Sequence, residues 1–199
     1  MLLYIVRHGE SVANLEGRLP EPATPLTDEG SVDADIVAAY LQGKGIEAIY
    51  ANRLRRVAET ARRISTATGA PVIFYEGLRD MDYGDHAGRS RDDSEVDEAI
   101  DKINDRIPGY RFPNGGNFYD LERRVAQALG RILNSGKETV AVVAHRDTNK
   151  LLIRRLLRMH QKETHWSLEL DHTTVYQFDT RAGLLFCTEP VGLRAYKTR

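Results

Sequence analysis

The chain has 199 residues, of which 41% are hydrophobic and 29% charged, and its formal net charge is −1. This length and composition are typical of one globular domain with its own core, and the near-zero charge favours neither nucleic acid nor an anionic membrane as a partner. The single cysteine, Cys187, excludes an internal disulfide and fits a reducing, cytoplasmic compartment. Its apolar surroundings predict a place in the core. No apolar run approaches the roughly 18 residues of a membrane span.

The first half of the chain alternates strand and helix signals. Thr27 is a suitable N-cap because two acidic residues follow it in the first turn of an expected helix. Apolar side chains at spacings of three and four are typical of an amphipathic helix further along. We predict, in chain order, a buried strand at residues 2–6, a helix from Thr27 to about Gln42, a strand at 46–50, a helix at 54–67 and a strand at 71–75.

The second half opens with a polar segment, residues 84–118, which we interpret as a cap-like insertion over the edge of the sheet, with a short helix at 94–103. Regular signals then return. We predict a helix at 118–133, a central strand at 138–144, a helix at 149–159, and two late strands at 173–178 and 184–186 joined by a turn at Ala182-Gly183.

Strands separated by helices indicate βαβ units and a parallel sheet. We therefore predict an α/β fold of three layers, α/β/α, with a mainly parallel sheet. The late strand pair indicates one antiparallel edge strand. We expect residues 1–199 to form a single domain.

The first strand runs directly into Arg7-His8-Gly9. Strand ends at the carboxyl edge of a parallel sheet are where α/β proteins place their chemistry. The guanidinium of Arg7 matches the geometry of a phosphate group, and the imidazole of His8 could act as a nucleophile or a base. Gly9 would allow a sharp turn or a close approach of the backbone.

A second apolar strand, at residues 140–144, is followed at once by His145, Arg146 and Asp147. If the two strands lie side by side in a parallel sheet, His8 and His145 meet at one edge. A neutral imidazole can attack phosphorus, and neighbouring arginines both lower its pKa and bind phosphoryl oxygens. The alternative for paired histidines is metal ligation, which needs further His, Cys or carboxylate ligands. Because arginines stand beside both histidines, we expect no metal.

Five blocks of the sequence carry a resemblance to a known family. The opening Leu-x-x-Val-Arg-His-Gly-Glu-Ser-x-x-Asn resembles the signature of the histidine phosphatase superfamily, also called the phosphoglycerate mutase-like family. The other blocks follow in the order that this family shows. They occupy residues 3–14, 27–30, 49–61, 78–88 and 142–145. The resemblance covers nearly the whole chain and implies a phosphoglycerate mutase-like fold.

The resemblance also implies roles for individual residues. His8 would be the nucleophile that forms a phosphohistidine, and Asp80 would be the general acid and base, with Asp82 as a rival. The side chains implied to hold the phosphoryl oxygens are Arg7, Arg56, Asn14 and His145. No cofactor is implied. Without the resemblance, Arg56 would be interpreted as part of a solvated helix face and Asn14 as a turn residue.

The sequence departs from the family pattern at several positions. Aspartate occupies the acid position, Asp80, where glutamate is common, and Asn52 and Arg53 replace a usual serine and proline. Gly116-Asn117-Phe118 stands in place of Gly-Glu-Ser, so a carboxylate that often lines the cleft is absent.

Two further positions leave alternatives open. Arg146 replaces the glycine that usually follows the second histidine. It could contact a second anionic group on the substrate or pair with Asp147. His172 could be an extra cleft residue or a surface histidine.

Taken with the resemblance, these residues predict a metal-independent phosphomonoesterase that acts on a small phosphorylated metabolite. Only residues 84–118 are available to enclose a substrate, and an open cleft favours hydrolysis over return of the phosphoryl group. A phosphoglycerate mutase and a weakly catalytic binding protein remain as alternatives, and the protein could form a homodimer. Arg89, Arg111 and Arg146 suggest a substrate with a second anionic group.

Overall fold

A computed structural model describes residues 1–105, 107, 109–159 and 170–188. Six strands form its sheet: β1 (Leu2–Arg7), β2 (Ala48–Ala51), β3 (Val72–Phe74), β4 (Thr139–Ala144), β5 (Val175–Asp179) and β6 (Leu184–Thr188). The α-helices within the described ranges are α1 (Val12–Leu15), α2 (Asp28–Leu41), α3 (Arg55–Thr68), α4 (Ser94–Asn104), α5 (Phe118–Leu133) and α6 (Arg146–Leu156).

The strands form one sheet in the order β3-β2-β4-β1-β5-β6. Strands β3, β2, β4 and β1 run parallel to one another, whereas β5 is antiparallel to β1 and β6 is antiparallel to β5. The predicted α/β class with a mainly parallel sheet is confirmed. The antiparallel region holds two strands, and the strand that opposes the others is β5, one place in from the edge, because the late strands pair as a hairpin outside β1.

Helices cover both faces of the sheet, and the central strands alternate their side chains between two apolar layers. Leu3 and Ile5 of β1 pack into the layer that holds α5 and α6, while Tyr4 and Val6 pack into the layer that holds α2 and α3. All four side chains are at most 4% exposed. This two-sided burial explains why the strand is an unbroken apolar run in the sequence.

Helix starts follow the capping residues. The hydroxyl of Thr27 accepts a hydrogen bond from the amide of Gly30 at 2.9 Å, as predicted for the N-cap of α2. Asn117 caps α5 by accepting from the amide of Asp120 at 2.8 Å, which gives this departure from the family pattern a structural role. The predicted start of α6 at residue 149 is wrong, because the helix begins at Arg146, directly after the strand.

Gly9 is required by a close contact between two backbone segments. A Cβ atom at Gly9 would overlap the carbonyl oxygen of Gly30, and one at Gly30 would overlap the carbonyl oxygen of Glu10. The segment after β1 therefore packs directly on the start of α2, and this packing fixes the backbone that carries His8.

The predicted core location of Cys187 is wrong. It lies on β6 at the edge of the sheet and is exposed, because an edge strand presents apolar residues to only one packed face. Among the described residues, no helix combines the length and apolarity that crossing a membrane requires.

Candidate active site

Strands β1 and β4 are neighbours, and their register places Arg7 opposite Ala144. The residues that follow, His8 and His145, therefore leave the sheet together. The amide of His8 donates to the carbonyl of Ala144 at 3.0 Å, and the two imidazole ring centres lie 5.2 Å apart. The prediction that His8 and His145 lie close together at one edge of the sheet is confirmed.

One ring nitrogen of His8 is engaged by the backbone. Its Nδ1 lies 2.7 Å from the carbonyl oxygen of Gly9, which can only accept, so Nδ1 carries the proton and Nε2 has a free lone pair. Burial holds the pKa of His8 well below its usual value, and the charges of Arg56 and Arg7 lower it further. The ring is 4% exposed. These conditions keep the imidazole neutral, as a nucleophile requires.

The amide of Asn52 sets the protonation pattern of His145. Its Nδ2 donates to the carbonyl of Leu78 at 2.8 Å, and its Oδ1 accepts from the amide of Leu54 at 2.9 Å. These two backbone partners fix which end of the side-chain amide is which. The same Nδ2 lies 2.9 Å from Nε2 of His145, so Nε2 accepts and the proton of the neutral ring is on Nδ1.

The Nδ1 side of His145 faces a carboxylate and a guanidinium. Oδ2 of Asp80 lies 3.4 Å from Nδ1, and Nη2 of Arg56 lies 3.3 Å from it. Because both Nδ1 and Nη2 are donors here, we assign the hydrogen bond from Nδ1 to Asp80 and treat the arginine as a charge neighbour. Burial, followed by the charges of Arg56 and Arg7, lowers the pKa of His145 well below its usual value.

Two arginines converge on the histidine pair. Arg56 is 1% exposed and donates from Nη1 to the carbonyl of Glu21 at 3.2 Å. Arg7 donates from Nη1 to the carbonyl of Leu170 at 3.1 Å. Burial is the main cause that lowers the pKa of each guanidinium, and arginine remains charged in proteins. Each bond anchors one arm of the arginine and leaves other donors in the cavity.

Asp80 lies among these groups and Asp82 does not. Oδ1 of Asp80 accepts from the amide of Met81 at 3.0 Å, and Oδ2 lies 3.4 Å from Nη2 of Arg56. Asp82 is exposed, accepts from the amide of Gly84 at 3.2 Å, and lines an adjoining cavity that Asp80 also borders, but it does not line the cavity that contains the two histidines. The geometry therefore separates the two candidate acids.

Arg124 of α5 holds the loop that carries Asp80. Its guanidinium donates to the carbonyls of Gly77, Arg79 and Asp80 at 3.5, 3.2 and 3.1 Å. Three bonds from one rigid fork fix the loop backbone next to Asp80. No sequence pattern predicts this contact, because α5 is distant along the chain and its arginines are similar in local pattern.

Asn14 and His172 have supporting contacts. Oδ1 of Asn14 accepts from the amide of Ser11 at 3.1 Å and from its hydroxyl at 2.7 Å, which caps α1, and the side chain also lines the cavity. Nδ1 of His172 donates to the carbonyl of His8 at 2.6 Å, with the ring centres 5.7 Å apart. His172 therefore packs beside His8 and is not an isolated surface histidine.

The two histidines, the two arginines, Asp80 and Asn14 border one cavity of about 380 Å³. Its inner end contains Arg7, His8, Arg56, Asp80 and His145. The segment 84–118 forms much of its outer wall and supplies Arg91, Ile100, Ile103, Asn104 and Phe112. Sequence reasoning missed these outer residues because the segment has no clear periodicity. Within the described ranges, no group of three His, Cys, Asp or Glu side chains is placed to hold a metal ion.

A family model described as the histidine phosphatase superfamily, branch 1, matches residues 3–188. The chain belongs to this superfamily. The match includes both histidines, both inner arginines and Asp80, so the predicted family is confirmed over nearly the whole chain.

Several relatives of this histidine phosphatase carry phosphatase names, and others are named probable phosphoglycerate mutases. The adenosylcobalamin/alpha-ribazole phosphatase of Escherichia coli K12 is 30% identical over 179 residues, which are 86% of each chain. The crystal structure of the alpha-ribazole phosphatase from Shigella flexneri matches with a TM-score of 0.82, 25% identity and 95% coverage of both chains. A phosphoserine phosphatase mutant from Entamoeba histolytica, solved with phosphoserine, matches with a TM-score of 0.76, 25% identity and 94% coverage of both. The enzyme class is therefore phosphatase.

Of the three arginines that the sequence suggested for a second anionic group in this histidine phosphatase, only Arg146 lines the cavity. Arg146 lines the cavity, and no partner for its side chain is found among the described residues. Arg89 pairs with Asp93 at 2.6 Å and with Glu95, outside the cavity. Arg111 likewise pairs with Asp120 at 2.7 Å. Arg89 and Arg111 therefore do not line the cavity, and the suggestion of a second anionic group rests on Arg146 alone.

Proposed function

We propose that the protein is a metal-independent phosphomonoesterase that hydrolyses a small phosphorylated metabolite through a phosphohistidine on His8. The observation that carries this proposal is the free Nε2 of a buried, neutral His8 in a cavity shared with Arg7, Arg56, His145 and Asp80. Nucleophile, charge stabilisation and a proton donor are thus all within one site.

The reaction has two steps. In the first, the Nε2 lone pair of His8 forms a bond to phosphorus, the bond to the ester oxygen breaks, and Asp80 gives its proton to that oxygen. In the second, Asp80 takes a proton from water as the water oxygen bonds to phosphorus. The phosphorus–nitrogen bond then breaks, its electron pair returns to Nε2, and inorganic phosphate leaves.

The positive groups around His8 stabilise the transferring phosphoryl group. Arg7 and Arg56 keep unshared donors that match phosphoryl oxygens. The ring of His145 is neutral, and Asn52 holds it so that its Nδ1–H faces Asp80. Asn14 contributes from the α1 side of the cavity. Because the backbone and Asn52 already hold these groups, little reorganisation is needed when charge develops in the transition state.

The test is to trap the intermediate. Enzyme quenched in alkali during turnover of p-nitrophenyl phosphate should carry phosphate on the peptide that contains His8, since phosphohistidine is stable to base and labile to acid. Activity should be unchanged after dialysis against EDTA. Phosphate on another residue, or activity that EDTA abolishes, would contradict the proposal. Transfer of the phosphoryl group to a second hydroxyl of a phosphoglycerate, in preference to water, would assign the mutase alternative.

Asn52 should affect catalysis indirectly, by setting which ring nitrogen of His145 carries the proton. In Asn52→Asp the carboxylate can accept but cannot donate to Nε2 of His145, so the ring proton should move from Nδ1 to Nε2. We expect kcat to fall by roughly a hundredfold, with the tautomer change visible in the ¹⁵N shifts of the His145 ring.

The matched control for this variant is Asn104→Asp, which makes the same change in the outer wall of the cavity. It should leave the His145 tautomer as in the wild type. Thermal unfolding of both variants separates a loss of folding from a loss of positioning. A full kcat in Asn52→Asp, or an unchanged ring tautomer, would refute the positioning role.

A further inference from the structure

The backbone that carries Asp80 is held by side chains from three other parts of the chain. Residues 79–83 form no helix or strand, so no regular ladder of backbone hydrogen bonds fixes this segment. The carbonyls of residues 77–80 all accept hydrogen bonds from side chains instead. The donors are Arg124 to residues 77, 79 and 80, Asn52 to residue 78 at 2.8 Å, and Thr148 to residue 79 at 3.2 Å.

Arg124 supplies three of these five bonds and forms no ion pair in the part of the chain that the structure describes. Its guanidinium is half-buried, and burial is the main cause that lowers its pKa. The preceding residue, Arg123, pairs with Asp120 at 2.9 Å on the surface. Because a partly desolvated charge costs free energy, the bonds to the loop are the gain that offsets the position of Arg124.

The loop approaches α5 closely at the same point. A Cβ atom at Gly77 would lie 3.0 Å from the carbonyl oxygen of Arg124 and 3.1 Å from the Cβ atom of Ala128. Both distances are shorter than ordinary van der Waals contact, so another residue at position 77 would push the loop away from α5. Glycine therefore lets the loop come within reach of the guanidinium.

The acid side chain is too short to correct for a displaced backbone. Asp80 stands where glutamate is common, so its carboxyl lies one methylene closer to the main chain. General acid catalysis requires that carboxyl within about 3 Å of the departing oxygen. With one rotatable bond fewer than glutamate, aspartate depends on its backbone for that distance, and a shift of about 1 Å can cost a hundredfold in rate.

The same loop is connected to His145. Nδ2 of Asn52 lies within hydrogen-bond distance of both the Leu78 carbonyl and Nε2 of His145. Thr148 is fully buried in the first turn of α6, the helix that begins directly after His145. These contacts fix the distance between the acid loop and the histidine pair.

We propose that Arg124 is a positioning residue for proton transfer, which holds the loop so that the Asp80 carboxyl reaches the leaving oxygen. In that step the O–H bond of Asp80 breaks, the proton bonds to the ester oxygen, and that oxygen keeps the electron pair of the broken phosphorus–oxygen bond. Arg124 lines the adjoining cavity and not the one that contains His8, so it acts through Asp80 and not on the substrate. This inference rests on the proposed phosphomonoesterase function.

The experiment compares two substrates in the Arg124→Met variant. Butyl phosphate has a poor leaving group that needs the proton, and its kcat/KM should fall roughly tenfold to a hundredfold. p-Nitrophenyl phosphate has a good leaving group, and its kcat/KM should fall by less than about threefold. Arg123→Met, one position earlier on the same helix, should keep the wild-type ratio and is the matched control. Equal losses for the two substrates would overturn the proposal.

Two further variants separate positioning from charge and from folding. Arg124→Lys keeps the charge, but an ammonium does not reproduce the planar fork, so it should lose butyl phosphate activity selectively as well. Wild-type activity of this variant towards butyl phosphate would show that charge alone suffices and would also overturn the proposal. If Arg124→Met fails to fold in a thermal unfolding assay, Arg124→Lys carries the substrate comparison.

The decisive readout is the double variant. Combined with Asp80→Asn, Arg124→Met should cause no further loss towards butyl phosphate, because the proton that it positions is already absent. Losses that multiply would assign Arg124 a role independent of the acid and refute the positioning role. A wild-type enzyme that forms no phosphohistidine would overturn the proposed function itself, whereas multiplying losses in an enzyme that does form it overturn only this inference.

Discussion

His8→Ala should abolish the hydrolysis of p-nitrophenyl phosphate, with kcat lower by about four orders of magnitude or more. The variant has no Nε2 lone pair, so the two-step route is closed, and loss of a covalent nucleophile costs an enzyme about this much. Stopped and continuous assays of nitrophenolate release measure the effect, and the trapped phosphopeptide should disappear at the same time.

His172→Ala is the matched control for this variant. Its ring lies beside His8 but donates only to the backbone carbonyl of that residue. We therefore expect kcat to fall by less than about tenfold, the scale of one hydrogen bond. Residual turnover in His8→Ala within a hundredfold of the wild type would refute the phosphohistidine route, because water attack with the remaining groups does not reach that rate.

The sequence predicts the centre of the site well because that centre is set by the sheet. Two unbroken apolar runs ending in histidine are typical of strands buried on both faces of a parallel sheet, and β1 and β4 are indeed neighbours there. Side-chain direction and strand register then place His8 beside His145 with no further information. The Gly9–Gly30 contact fixes the same backbone, although the sequence indicated only that a glycine would be useful.

Contacts between distant segments were not predictable in this way. Arg56 could be distinguished from its neighbouring arginines only by resemblance, since its burial depends on Glu21 and Asp80 approaching from other loops. The role of Asn52 depends on its two backbone partners, which fix its amide. The burial of Arg56 and the orientation of the Asn52 amide both depend on tertiary contacts, which leave no pattern in the local sequence.

The arginines of the segment 84–118 are sorted by contacts that the sequence does not predict. Arg89 and Asp93 pair at 2.6 Å across the turn ahead of α4, outside any helix, so the helical spacing rule gives no reason to expect the pair. Nothing in the sequence singles out Arg91, because its place in the cavity depends on how the whole segment packs over the sheet edge.

Asp80→Asn should separate the two chemical steps. An amide cannot protonate the departing oxygen, so alkyl phosphates, which have poor leaving groups, should lose about 10²- to 10⁴-fold in kcat/KM. p-Nitrophenyl phosphate has a good leaving group that departs without a proton, and its first step should slow far less. A plot of log kcat/KM against leaving-group pKa should therefore become steeper.

The second step gives an independent readout for the same variant. Without a carboxylate to take the proton from water, hydrolysis of the phosphoenzyme should become rate-limiting, and rapid mixing should show a burst of nitrophenolate close to one equivalent of enzyme. Asp82→Asn is the matched control, since Asp82 does not line the cavity that contains His8. If Asp82→Asn steepens the plot and shows the burst while Asp80→Asn does neither, the acid is Asp82. The loop that Arg124 holds would then have to rearrange when substrate binds.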